Sequence, residues 1–311
     1  MVLSPWLFIF FGIFAVAWIP FLVSSFLLRK WSYSIVSIVF CILIVTALVL
    51  GFLFPEYMTL SIAGVFCLTG VVYETCGTYF SMHKAPVVAI HDILFSLIPY
   101  KKTMRIGCMN VQSKAVGDIL MAVVFFTGVI SLLVMGTLRQ FRYLLLLIGI
   151  TGFFRPLTFC ITHLSDPNPE SPTNTGFLKE EALTFQRAVA CTYDFVLNPF
   201  SFNTSGDMIF SGHTRFVMCG LCAFSSLVTA SNASYMVPIF IVLVIFAVMA
   251  MCIFIRSRMH YSVDIVLAVF VTTSLWQILC QSSIIAASGV EENGLSLLAR
   301  MWVSFCNWFN D

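Results

Sequence analysis

Apolar residues run through this chain in blocks, each long enough to cross a bilayer once, which takes about 20 residues. Eight such blocks are visible, at 6–28, 34–54, 58–79, 116–138, 143–163, 207–230, 235–256 and 261–283. The third is the weakest, because Glu74 interrupts it and Gly64, Gly70 and Gly77 dilute it. Two polar stretches are long, 80–115 and 164–206, and the other connections are short. The sequence ASNASY, Ala230 to Tyr235, predicts a tight hairpin between the sixth and seventh blocks. In the tail, Trp302, Phe305, Trp308 and Phe309 recur at spacings of three and four. That spacing predicts an interfacial helix with its aromatic face at headgroup depth. The pattern as a whole predicts an all-α, polytopic membrane helix bundle of about eight spanning helices.

Composition supports the membrane reading. The 311 residues are 60% hydrophobic and only 10% charged, against about 25% charged in an ordinary soluble domain. The mean hydropathy of +0.99 points the same way. A net charge of +2 is too small to argue for a nucleic-acid partner. The N-terminal block lacks a basic leading region, so it reads as a spanning helix or signal anchor rather than a cleaved signal. Most of the 11 cysteines fall inside apolar blocks, where they read as packing; Cys219 and Cys222 are among them. Cys108 and Cys191 fall in polar loops and can pair on an oxidising side.

Polar residues at the block ends supply the candidate chemistry. The hairpin brings the sixth and seventh blocks back to one side. Arg155, His213, His260 and Asp264 therefore gather at one membrane face. His260 and Asp264 are four apart at a helix head, so they share a face. Asp264 can then accept the Nδ1 proton of His260 and leave Nε2 as nucleophile or base. The bland alternative is a structural His–Asp contact. His213 lies in Ser211-Gly212-His213-Thr214. There Gly212 admits close approach to a substrate, and Ser211 and Thr214 can donate to an anionic oxygen. The alternative is a helix cap. Arg155 lies inside the fifth block, where a charge is costly and marks function. Thr158 and Thr162 follow it at helical spacing. Arg215, Arg256 and Arg258 crowd the histidines; guanidinium forks suit phosphate, although snorkelling explains Arg256 and Arg258 equally well. The set suits phosphoester cleavage by covalent transfer. His260 would attack phosphorus, His213 would protonate the leaving alkoxide, and arginines would stabilise the non-bridging oxygens. Metal ligands do not cluster, and no cofactor is expected.

These motifs resemble a known family. GDMIFSGHT (Gly206 to Thr214) and HYSVDIV (His260 to Val266) are similar to the paired motifs of the sphingolipid synthases. These enzymes make sphingomyelin, ethanolamine-phosphorylceramide and inositol-phosphorylceramide, and they are related to the type 2 phosphatidic acid phosphatases. RPLTFCIT, Arg155 to Thr162, resembles the family's arginine followed by two spaced threonines. HDILFSLIP, His91 to Pro99, resembles its first motif only at Asp92 and at Ile98–Pro99. The resemblance implies a six-helix catalytic core over 58–283, two added N-terminal helices in 1–57 and a tail over 284–311. It implies a catalytic triad of His213, His260 and Asp264. It also implies transfer of a phospho-headgroup from a glycerophospholipid donor to ceramide, with release of diacylglycerol. Arg155, Arg215, Arg258, Thr158, Thr162, Ser211 and Thr214 are then candidate phosphate ligands, and Asp207 and Asp92 candidate headgroup contacts. Asp207 reads equally as a cap of the sixth block.

Two other functions compete with this reading. Lipid phosphate phosphatases share the SGH and HxxxD patterns and use water as acceptor. They usually carry a lysine seven residues before Arg-Pro and a proline before SGH, where this chain has Ile148 and Phe210. A non-catalytic lipid-binding or transport protein is the third class. The resemblance implies a lumenal or exoplasmic catalytic face, in the Golgi, endoplasmic reticulum or plasma membrane. The lysines and arginines, among them Lys101, Lys102 and Arg105, crowd that same face, which the positive-inside rule would call cytoplasmic.

Overall fold

The computed structural model describes residues 12, 18–19, 21–24, 27–28, 31–54, 57–84, 90–106, 109–169, 171, 184–197, 208–287 and 297–310. The first expected span, 6–28, lies largely outside the described residues. The described elements begin with α1 (Trp31–Leu53), α2 (Met58–Lys84) and the short α3 (Ile93–Leu97). Strands β1 (Thr103–Ile106) and β2 (Met109–Gln112) follow as an antiparallel hairpin. Then come α4 (Ser113–Met135), α5 (Leu138–Ile161), α6 (Phe185–Leu197), α7 (Gly212–Ser225), α8 (Ala233–Arg256), α9 (Ser262–Ala287) and α10 (Leu297–Asn310).

Six of these helices (α1, α2, α4, α5, α8 and α9) are long and apolar enough to cross a membrane. Their outer faces expose apolar side chains such as Phe52, Val134 and Ile161. Such faces would be a liability in water and are the expected solvent face in lipid. The molecule is thus an all-α polytopic bundle, with one two-stranded hairpin as its only sheet among the described residues.

The sixth expected span departs from the expectation of 207–230. Helix α7 covers only 14 residues, about 21 Å at 1.5 Å per residue, against about 30 Å of hydrocarbon. Eleven of the 14 are buried, so protein, not lipid, surrounds it. An all-round apolar sequence fits a buried helix as well as a spanning one. The expected hairpin forms as written. Asn232 Oδ1 accepts from the Thr229 amide at 2.8 Å and its Nδ2 donates to Leu227 O at 2.8 Å.

Small residues set the closest crossings. A Cβ on Gly128 of α4 would lie 2.1 Å from Gly220 O of α7. A Cβ on Gly70 of α2 would lie 2.7 Å from Gly149 O of α5. These are backbone-to-backbone contacts of the kind that pack membrane helices. Helix α5 starts in a full capping box between Thr137 and Gln140.

Helix α10 packs on the bundle. Phe305, Cys306 and Phe309 are buried, and Trp302 Nε1 donates to Ser282 Oγ of α9 at 2.6 Å. Arg142 of α5 donates to Phe309 O at 3.0 Å and also reaches Thr59 of α2. A cation near a helix C-terminus offsets its dipole. The aromatic face is therefore largely covered by protein, where the spacing suggested headgroups.

The long loops carry structure that hydropathy does not announce. The 80–115 stretch contains α3 and the β-hairpin, whose foot is tied to the end of α8 by Lys101 N donating to Arg256 O at 3.2 Å. In the 164–206 stretch, α6 docks on α1 and α2, with Tyr33 donating to Asp194 at 2.8 Å. Cys108 lies outside the described residues, and Cys191, expected in a polar loop, is a free cysteine within α6.

Candidate active site

The C-terminal ends of α5 and α8 meet the N-terminal ends of α4, α7 and α9 at one end of the bundle. Three described non-glycine residues have positive φ, and all lie here: Ile209 (69°), Phe210 (78°) and Arg258 (55°). Each such conformation costs of order 1–3 kcal/mol and persists only where surrounding bonds fix it. The bonds are present. Asp264 Oδ1 accepts the Ile209 amide at 2.9 Å, and Asp264 O accepts the Ser211 amide at 3.1 Å. Arg155 Nε donates to Phe210 O at 2.7 Å. Thr158 Oγ1 lies 3.1 Å from Ile209 O and 2.7 Å from Arg155 O, and its single proton serves one at a time.

That turn delivers the chain into α7. Ser211 is the N-cap, its Oγ accepting the Thr214 amide at 3.1 Å. Gly212 is needed for a reason the sequence did not show. A Cβ there would sit 2.9 Å from Cζ of Arg155. The group that approaches this glycine is the guanidinium beneath it.

The two histidines meet. His213 Nδ1 lies 3.3 Å from His260 Nε2. His260 Nδ1 lies 3.5 Å from Asp264 Oδ2, beyond a good hydrogen bond and within ion-pair reach. Oδ2 also accepts the Tyr261 amide at 3.0 Å. Asp264 thus touches His260 while pinning the turns that carry both histidines. The expected cluster of His213, His260 and Asp264 is brought together.

The arginines are turned toward protein acceptors. Arg155 Nη1 lies 2.5 Å from Glu74 Oε1, and Arg215 Nη1 lies 2.7 Å from Glu74 Oε2. Arg215 is fully buried. One carboxylate thus faces two guanidinium groups, and the cluster keeps a net positive charge beneath the head of α7. Glu74, which as sequence only weakened a spanning block, is the carboxylate that makes these buried charges tolerable. Arg258 donates to Ile255 O at 3.0 Å and Phe95 O at 2.9 Å, with its Cζ 3.8 Å from the Phe95 ring centroid. Burial lowers its pKa and Asp92 opposes that shift.

Asp92 also faces inward. It N-caps α3 through the Leu94 amide at 2.9 Å, and it accepts Ser262 N at 2.6 Å and Ser262 Oγ at 3.0 Å. These bonds engage the carboxylate with the head of α9, not with a headgroup. Asp207 lies outside the described residues. Thr162 C-caps α5 and is exposed, and Thr214 is buried. Tyr261 donates to Ser165 O at 3.1 Å and accepts the Ile90 amide at 3.2 Å. Burial raises its phenol pKa, which keeps the donor proton in place at neutral pH.

One neighbour of His213 escaped the sequence reading. Asp118, in the second turn of α4, places Oδ1 3.5 Å from His213 Nε2. The signal was available: a carboxylate inside an apolar block is costly and marks function by default. Phe254 of α8 packs against the same ring, centroids 5.2 Å apart.

Residues 204–281 match the family model described as PAP2 superfamily C-terminal. The matched stretch is less than half the chain and contains all three residues of the His–His–Asp cluster. Fold and match together define a multi-pass membrane protein in which residues 204–281 are similar to a superfamily of phosphatases and phosphotransferases related to the type 2 phosphatidic acid phosphatases. No curated protein matches the chain with significance.

Proposed function

We propose that the protein is a phosphotransferase that moves a phospho-headgroup from a glycerophospholipid to ceramide through a phosphohistidine intermediate. The observation that carries this reading is the contact of His213 with His260, backed by Asp264. His260 Nε2 attacks phosphorus as the bond to the diacylglycerol oxygen breaks, and His213 gives that oxygen its proton. In the second half-reaction the ceramide hydroxyl gives its proton to His213 and its oxygen attacks the same phosphorus, freeing His260. The site lies at the N-terminus of α7 above the Arg155–Glu74–Arg215 cluster, a positive environment for a phosphate. In this arrangement the arginines act on the phosphate through the field and through the turn they brace. A gap of 3.3 Å leaves no room for phosphorus between the two nitrogens. Donor binding therefore has to swing the His213 ring aside.

Phe210 and Ile148 speak against the phosphatase alternative. Phe210 has φ of 78°, which proline cannot adopt, because its ring fixes φ near −65°. The loop thus differs in conformation, not only in residue, from one carrying proline before SGH. Ile148 belongs to the buried apolar core, where a lysine would have no place.

The test uses purified full-length protein in vesicles with headgroup-labelled glycerophospholipid and ceramide. Label should appear in a ceramide product, and His213→Ala, His260→Ala and Asp264→Ala should each abolish transfer while the protein still inserts. Release of label to water would support the phosphatase. No turnover of any lipid phosphoester would leave a binding or transport protein.

A further inference from the structure

We infer that Asp118 is a positioning residue that holds His213 in its protonated, acid form, so that the site is a four-membered Asp264–His260–His213–Asp118 array. The inference rests on the phosphotransfer reading for its role in turnover, but the pairing itself stands on geometry. His260 Nε2 needs a lone pair to attack phosphorus. The atom facing it at 3.3 Å is His213 Nδ1, which must then carry a proton. At the opposite edge of the same ring, Nε2 faces Asp118 Oδ1 at 3.5 Å. That distance is within ion-pair reach though beyond a good hydrogen bond, so an imidazole that donates from Nδ1 and has a carboxylate beside Nε2 is favoured as the doubly protonated cation. That cation is the acid the leaving diacylglycerol oxygen requires. Asp118 takes no proton in either half-reaction. It stabilises the charge while His213 gives and regains one.

Among the described residues, the other charged groups named around His213 do not supply this. His260, with Asp264 behind it, faces Nδ1. Arg215 on α7 and Arg155 on α5 are cations paired with Glu74 of α2. Arg258, in the turn that carries His260, is a further cation. Lys114, one turn before Asp118 on α4, is a further cation. Asp118 is thus the carboxylate that meets the outer edge of the ring.

A carboxylate partner raises the pH to which His213 stays protonated, and the acid function is lost as pH rises past that point. The pair is partly exposed, with side-chain exposures of 27% and 38%, so screening keeps the effect to about one pH unit. The experiment titrates the full-length, histidine-labelled protein in nanodiscs by NMR, with the His213 signal assigned by its loss in His213→Ala. Asp118→Asn should move the His213 midpoint down by about one pH unit, and Asp118→Glu should recover most of it. In headgroup transfer, the alkaline limb of kcat/KM should move down in Asp118→Asn by the same amount, with the acidic limb unmoved. An identical His213 midpoint in wild type, Asp118→Asn and Asp118→Glu would overturn the inference. The NMR readout needs no turnover. A shifted midpoint with no lipid transfer would therefore retain the pairing and reject the function, and the two failures are distinguishable.

Discussion

Asp264 shows how much one side chain does here. It lies beside the inner nitrogen of His260 while holding the Ile209 and Tyr261 amides that shape the turns before α7 and α9. The sequence spacing made the first role visible and concealed the second, because a left-handed backbone at Ile209 and Phe210 leaves no mark in residue type. Glu74 and Asp118 are marked by residue type, as carboxylates in apolar blocks, but their partners are not. Each stands among apolar neighbours, and only the three-dimensional packing shows that each faces a cation or an imidazole. The loop conformation gives a prediction at this scale. Phe210→Pro, which would restore a phosphatase-like motif, should destabilise the protein by more than about 1 kcal/mol, because the native φ is closed to proline. It should also lower transfer without creating water-dependent release. Thermal unfolding in detergent and the labelled-lipid assay measure both effects, and a Phe210→Pro protein that gains phosphatase activity would contradict this account of the loop.

Among the elements, hydropathy located α1, α2, α4, α5, α8 and α9, because their outer faces are apolar for lipid and their inner faces apolar for packing. It misjudged α7 for the same reason: an apolar helix looks alike whether lipid or protein surrounds it. It could not see α3, α6 or the hairpin, which are short and partly polar. The crossing of α4 on α7 makes the site possible, since α4 carries Asp118 and α7 carries His213. Gly128 and Gly220 let the two backbones approach, and a side chain at position 128 would run into Gly220. Gly128→Leu should therefore cost about 1–3 kcal/mol and weaken the Asp118–His213 contact. In the NMR titration, its His213 midpoint should shift in the direction of Asp118→Asn. A Gly128→Leu protein with wild-type stability and an unmoved midpoint would show that the crossing does not position the site.

At the scale of the whole molecule, the described residues include six apolar helices long enough to span a membrane; α4, α5, α8 and α9 among them pack on the short buried helix α7, and two histidines meet at one end of the bundle. The clustering at one end was legible from the turn between the sixth and seventh blocks, although α7 is too short to cross the membrane as that expectation required. The expected alignment of arginines on a phosphate was less so, since residue type cannot say whether a guanidinium faces substrate or a buried carboxylate. The central claim is that His260 becomes covalently attached to the phospho-headgroup. Its most direct measurement is mass spectrometry of the full-length protein, quenched at alkaline pH during turnover of a glycerophospholipid without ceramide. The account predicts a phospho-headgroup adduct on His260 that disappears when ceramide is added and never forms in His260→Ala. Undiminished headgroup transfer by His260→Ala would contradict it.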